Sequence, residues 1–232
     1  TLALASDTGT SSTDRITNVG TVNVGALESG TTWEYSTNSG SNWTTGTGSS
    51  FTLGAGTYAV GAVRARQTDA AGNISPVAQS AGAITIDAMV PAISTVAITS
   101  ATNGQNSTLN AGDVVSAKVT FGEAVTVTGT PTLALTIGST PVMANYASGG
   151  GTSALVFKYT VAAGRNDPNG ISIGANALSF NGGNITDTAG NAANLNHNAV
   201  SDNVSYQVDT TAPTVTITDD VVGTANGPIT YT

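Results

Sequence analysis

Over residues 1–88 the apolar positions alternate with polar ones in short runs, the period of a β-strand with one buried face. Leu2 and Leu4 fall on one face of such a run, as do Val22 and Val24, Trp33 and Tyr35, and Ile84 and Ile86. A longer run covers 58–67. Turn-forming clusters separate the runs: Asn38-Ser39-Gly40, Gly46-Thr47-Gly48, Gly54-Ala55-Gly56 and Gly72-Asn73. About seven short strands divided by turns predict a β-sandwich. No stretch carries a convincing 3.6-residue apolar period, so no helix is expected.

The same alternation returns after residue 91 with more widely spaced runs, at 95–99, 113–121, 125–128, 132–137, 142–146, 154–161, 171–173 and 204–208. The loops between them are longer and more polar: 102–112, 147–153 with Gly149-Gly150-Gly151, 164–170, and the Asn- and Asp-dense 181–203. Long polar loops on a rigid sandwich are where binding usually sits. The predicted organisation is an all-β chain of tandem sandwiches: a first domain over 1–90, a larger one over 91–211, and the start of a third unit over 212–232. In that third unit 214–218 and 229–232 read as two strands around Asp219-Asp220. Two strands do not bury a core alone, so this tail is expected to pack on the second domain, to pair with another molecule or to be disordered.

One six-residue pattern occurs twice: Thr68-Asp69-Ala70-Ala71-Gly72-Asn73 and Thr186-Asp187-Thr188-Ala189-Gly190-Asn191. Each copy is followed by an apolar run ending in an aspartate, with a proline four residues beyond it: Asp87 and Pro91, Asp209 and Pro213. A feature recurring in this order marks tandem units.

Composition sharpens the picture. The chain is 39% hydrophobic but only 5% aromatic, so its cores are aliphatic, and only 9% of it is charged. Its net charge of −8 argues against nucleic acid or an anionic membrane as main partner and fits a chain that needs cations. With no cysteine there is neither a disulfide framework nor a thiolate zinc site. No apolar run reaches the ~18 residues of a membrane span. The sequence opens inside a strand pattern, without an initiator Met or a secretion signal, and reads as a piece of a longer protein.

The two loops, the linkers and several strand motifs together resemble the giant repeats-in-toxin adhesins of Gram-negative bacteria. In the first domain the resemblance is carried by Trp33-Glu34-Tyr35-Ser36-Thr37-Asn38, Ser41-Asn42-Trp43 and Arg64-Ala65-Arg66-Gln67-Thr68-Asp69. In the second it is carried by Leu109-Asn110-Ala111-Gly112-Asp113, Phe157-Lys158-Tyr159-Thr160-Val161 and Asn169-Gly170-Ile171-Ser172-Ile173. The resemblance implies immunoglobulin-like repeats stabilised by Ca2+, located outside the cell on a bacterial surface. It also implies a family that includes sugar- and peptide-binding modules and serves adhesion and biofilm formation. The first linker, Asp87-Ala88-Met89-Val90-Pro91, departs from the family's usual pair of threonines.

Calcium takes six to eight oxygens from carboxylates, amides and carbonyls at about 2.3–2.6 Å. The candidate ligands are Asp69, Asn73 and Asp87 around the first loop, Asp187, Asn191 and Asp209 around the second, the tail pair Asp219 and Asp220, and Asp167 and Asn169 in the 164–170 loop. For the repeated loops the alternative is an Asx turn around a left-handed glycine, with no metal. A ligand site in the second domain is expected at Asn166, Asp167, Asn169, Asn181 and Asp202. There an open calcium position would take the carboxylate of a short peptide, such as a free C-terminus, or else sugar hydroxyls. His197 is the only histidine, and no nucleophile–base pair or carboxylate pair stands out, so no enzyme is expected. The competing expectation is a pure spacer whose partners are its neighbouring repeats.

Overall fold

The alternating runs fold into mostly antiparallel strands with one face buried, the short pairs of 16–17 with 85–86 and of 108–109 with 207–208 being parallel, and a computed structural model describes residues 1–216 of the chain. The N-terminal half holds β1 (Leu2–Leu4), β2 (Ile16–Thr17), β3 (Thr21–Val24), β4 (Thr32–Ser36), β5 (Thr44–Thr45), β6 (Ser50–Thr52), β7 (Gly56–Tyr58), β8 (Arg64–Thr68), β9 (Ala78–Gln79) and β10 (Ile84–Ile86). They form three small sheets of order β1-β3-β6, β2-β10-β7 and β5-β4-β8-β9. The run at 58–67 is not one strand. Gly61, at φ 70, breaks it, and Ala62 N–H closes a turn onto the Ala59 carbonyl at 3.0 Å.

These sheets enclose one core. Val22, Val63, Ile84 and Ile86 pack with Trp33 and Phe51, and Tyr35 stacks on Phe51 at 4.2 Å between ring centroids. Trp33 donates its indole N–H to the Gly48 carbonyl at 3.0 Å. A Cβ at Gly46 would lie 2.2 Å from the Trp33 ring, so this position excludes any side chain. Trp43 lies beneath the Arg66 guanidinium, 4.0 Å from the ring centroid, while Arg66 pairs with Glu34 at 2.6 Å. Both tryptophans therefore serve packing.

The second half holds β11 (Ile93–Thr102), β12 (Thr108–Leu109), β13 (Val114–Thr128), β14 (Thr132–Ile137), β15 (Thr140–Ser148), β16 (Thr152–Thr160), β17 (Asn166–Asp167), β18 (Leu178–Ser179), β19 (Asn184–Thr186) and β20 (Gln207–Asp209). Six of them make a large sheet of order β11-β13-β16-β15-β14-β18, with β19 added along the end of β13, and a second sheet runs β12-β20-β17. Two runs read as separate, 113–121 and 125–128, are one long strand, β13, with a register shift between Thr120 and Val125. The expected strand at 204–208 instead begins as a 3-10 turn (Val204–Tyr206), because the Asn203 side chain accepts the Ser205 N–H and caps it. The run at 171–173 makes only isolated bridges, Thr136 to Ser172 and Ile173 to Val200.

Leu133, Leu135 and Ile137 of β14, Phe157 of β16 and Val115, Ala117 and Val119 of β13 form one buried face, covered by Leu109, Ile171, Ile173, Ile185 and Val208. Each buried aliphatic side chain contributes about 1.5–3 kcal/mol. The architecture is nearly all-β and sandwich-like, and every sheet takes its strands from one side of residue 90. Of the strand expected at 214–218, residues 214–216 are described and form none, and Val215 is 90% exposed. The remainder of the tail, with Asp219 and Asp220, lies outside the described residues.

Candidate metal centre

Both copies of the repeated loop follow a strand paired in the same way: Thr68 ends β8 opposite Thr32, and Thr186 ends β19 opposite Thr126. Both loops close through the same pair of bonds, and in the first Asp69 Oδ1 also accepts the Ala71 N–H at 2.9 Å. Asp69 Oδ1 accepts the Asn73 N–H at 2.8 Å and Oδ2 accepts the Asn73 Nδ2 at 2.7 Å. Asp187 accepts the corresponding two bonds from Asn191 at 2.8 and 2.7 Å. Gly72 and Gly190 sit at φ 88 and 95, the left-handed conformation the bend requires. The six residues thus encode an Asx-type loop by themselves.

The surroundings of the two loops differ. Asp69 lies at the surface, and the side-chain and backbone bonds from Asn73 hold its carboxyl below the ordinary value of 3.8. Asp187 is 1% exposed, and one carboxylate oxygen from each of Asp187, Asp87 and Glu123 lies within 4.8 Å of the others. Three elements bring them together. β19 delivers Asp187. The register shift in β13 carries Glu123 out of the ladder towards the second loop. The linker is fixed by Asp87 N–H donating to the Thr17 carbonyl at 2.9 Å, and by Asn191 Nδ2 donating to the Asp87 carbonyl at 2.9 Å. Asp87 thus completes the loop of the following unit and is not grouped with Asp69, the loop of its own unit.

Burial raises the Glu123 pKa above its ordinary 4.5, and the charges of Asp187 and then Asp87 add to the rise. Among the described residues the only ion pair is Arg66 with Glu34, so no basic side chain neutralises the three carboxylates. Three hard oxygen donors without nitrogen or sulfur suit Ca2+ or Mg2+ and not zinc or copper.

The same loop also forms the seam between the two halves. Thr8 Oγ1 donates to the Ala189 carbonyl at 2.7 Å, and Thr10 N–H donates to the Thr188 carbonyl at 3.2 Å. The backbones approach so closely that a Cβ on Gly9 would lie 2.0 Å from the Thr188 oxygen, and one on Gly190 2.9 Å from the Gly9 nitrogen.

The remaining candidate ligands are dispersed. Asp167 is buried, with Oδ2 accepting Gly138 N–H at 2.8 Å and Oδ1 accepting Gly170 N–H at 3.0 Å, which pins the 164–170 loop. Asn169 donates to Asp202 at the surface, Asn166 pairs with Asp209 across β17 and β20, and Asn181 donates to the Thr130 carbonyl at 3.0 Å. Asp209 closes its own turn onto Thr211 N–H at 2.9 Å, as Asp87 does onto Met89 N–H at 2.9 Å. No three-carboxylate group forms around Asp69, Asp167 or Asp209 among the described residues.

Sequence reasoning missed Glu123. The signal available was Gly122-Glu123-Ala124, which interrupts two apolar runs at the point where β13 leaves its ladder. No protein-family model matches the chain, and no curated protein matches it. No described helix is long and apolar enough to cross a membrane.

Proposed function

We propose that this chain is a non-enzymatic segment of an extracellular adhesin, built of tandem immunoglobulin-like units. On this reading a calcium ion held by Asp87, Glu123 and Asp187 locks the joint between them. One observation carries it: three carboxylates from the linker, β13 and the repeated loop converge across the boundary without a basic partner. Bare, such a cluster repels itself. With a divalent cation it ties the linker to the second unit and fixes the relative orientation of the two. A chain with no cysteine gains by this cation the cross-link a disulfide would otherwise supply. The biological role that follows is adhesion to a surface or to other cells, with the second unit carrying ligand or acting as a spacer.

Titration calorimetry and thermal unfolding in calcium, magnesium and chelator test this reading. Calcium at a hundredfold excess over Kd stabilises by about 2.7 kcal/mol, and Glu123→Gln removes most of that gain. A wild-type melting curve indifferent to calcium and chelator would refute the clamp.

A further inference from the structure

The chain contains the step Asn-Gly at Asn103-Gly104, Asn169-Gly170, Asn181-Gly182 and Asn226-Gly227, the last outside the described residues. An asparagine before a glycine loses its side-chain amide without an enzyme. The glycine nitrogen, as its proton leaves, attacks the asparagine Cγ. A bond forms from that nitrogen to Cγ, the bond from Cγ to Nδ2 breaks, and ammonia departs. Water then opens the five-membered succinimide to aspartate or to isoaspartate, in which the main chain runs through the former side chain. Glycine favours the attack because no Cβ shields its nitrogen and because its backbone turns freely. A fold controls the reaction in two ways. It holds the glycine N–H in a hydrogen bond, or it ties the asparagine amide away from that nitrogen.

The three described steps differ in both respects. Gly170 is buried, and its N–H donates to the buried Asp167 Oδ1 at 3.0 Å. The Asn169 amide donates to Asp202, so this step is held twice. At the second step the Asn181 Nδ2 donates to the Thr130 carbonyl at 3.0 Å. The Gly183 N–H closes the turn onto the Phe180 carbonyl at 2.8 Å, with Asn181 and Gly182 at φ 47 and 75 between them. At the third step Asn103 and Gly104 are both exposed. Among the described residues neither the Asn103 amide nor the Gly104 N–H has a hydrogen-bond partner.

The neighbours on either side of this free step are fixed. Thr102 ends β11 in register with Val114. Beyond Gly104, Gln105 and Thr108 exchange both main-chain bonds at 2.9 Å, around Asn106 and Ser107 at φ 52 and 64. That is a two-residue hairpin of the primed type. Asn103-Gly104 is therefore the unbonded link between a strand end and a closed hairpin. Asn103 also lines a hollow of about 440 Å³ with Gln105, Asn110, Asp113 and Asp209, and no Lys or Arg borders it.

We propose that Asn103 is a site of spontaneous deamidation, converting to aspartate and isoaspartate while the folded chain protects Asn169 and Asn181. The conversion adds a negative charge beside Asp113 and Asp209, where the chain leaves the second unit. The isoaspartate product also lengthens the main chain by a methylene just ahead of the hairpin. The inference rests on the hydrogen bonds of the second unit and not on the cation clamp.

The test incubates the full chain at mildly alkaline pH for weeks, once folded and once in concentrated urea. Peptide mass mapping with electron-transfer fragmentation follows each asparagine and separates Asn103 from Asn106, which precedes a serine and lags. In urea the three steps differ only in their sequence neighbours and convert at similar rates. In the folded chain Asn103 converts nearly as fast as in urea. Asn169 and Asn181 slow by about tenfold or more, an added barrier of about 1.4 kcal/mol, the scale of one hydrogen bond that must break first. Gly104→Ala places a Cβ beside the attacking nitrogen, where it meets only the Leu109 side chain at 2.8 Å and the Thr108 carbonyl at 3.5 Å. It slows Asn103 about tenfold or more in both states. The proposal fails if folding slows Asn103 as much as the other two, or if Asn169 or Asn181 keeps its urea rate. Equal rates for Gly104→Ala and wild type would mean direct hydrolysis and would overturn the succinimide route.

Discussion

The loops at 68–73 and 186–191 share their sequence pattern and their closing Asp–Asn hydrogen bonds, yet one is a surface turn and the other lies at the seam between the two halves. Around Asp69 the bonds from Asn73 are the main partners, and the carboxylate is at ease as an anion. Around Asp187 the same bonds are joined by a linker aspartate, a strand glutamate and a backbone seam. The difference teaches that the motif specifies a shape, while chemistry is conferred by what the fold brings to it.

The largest contrast is expected from truncating the two aspartates. Asp187→Ala removes a buried acceptor and leaves the part-buried Asn191 N–H without a partner, while Asn191 Nδ2 keeps the Asp87 carbonyl, a loss of about 1–3 kcal/mol. Asp69→Ala gives a much smaller shift, because water replaces the lost acceptor. Equal urea midpoints for the two variants would erase the distinction between the sites.

Next in size is the response to the ion. Calcium raises the melting temperature of the wild type and of Asp69→Ala alike. A gain of about 2 kcal/mol corresponds to about 4–8 °C in a chain of this length. Asp87→Asn and Glu123→Gln lose most of that rise, and differential scanning fluorimetry reads all four.

The glycines give a finer contrast. Gly72→Ala meets no atom within 4 Å and bears only the left-handed backbone, about 1 kcal/mol. Gly190→Ala bears the same backbone term and also presses on Gly9, so it destabilises more and widens the angle between the units in small-angle scattering. An equal penalty and unchanged scattering would mean that the seam carries no strain.

The smallest effect is in pH. Without metal, Glu123 binds its proton more tightly in the folded chain than in the unfolded one. Its contribution to stability is therefore fully present below the ordinary value of 4.5 and is lost as pH rises through the raised folded value. Glu123→Gln flattens that slope in chelator. Asp69 acts oppositely: its contribution is present above 3.8 and is lost as pH falls below. Denaturation midpoints of the two variants against pH should diverge from wild type in these opposite directions.

Much of this fold was legible because a strand with one buried face writes itself as alternation: Leu133, Leu135 and Ile137 are all inward, as their spacing requires. The loops were legible for a similar reason, since an aspartate, a left-handed glycine and an asparagine close a turn without outside help. The centre was only half legible. Asp87 and Asp187 carried a repeat signature, but their pairing across the boundary depends on how two units meet, which no local pattern records. Glu123 carried none, because a single glutamate at a strand irregularity has no periodic partner. Asp167 resembled an ion ligand by composition, yet the backbone amides of Gly138 and Gly170 use both its oxygens. His197 gave no hint that its ring and backbone brace the 196–198 segment against Asn176 and Ala177.

The amide of Thr10, given to the Thr188 carbonyl across the seam, has a consequence for measuring this molecule. Its proton exchanges with solvent only when that contact opens, so its deuterium uptake is a clock for the joint alone. Amides within a core strand, such as Val119 or Phe157, wait for much larger openings. If calcium slows Thr10 by orders of magnitude while leaving those core amides untouched, one residue will have separated the breathing of the joint from the unfolding of either half.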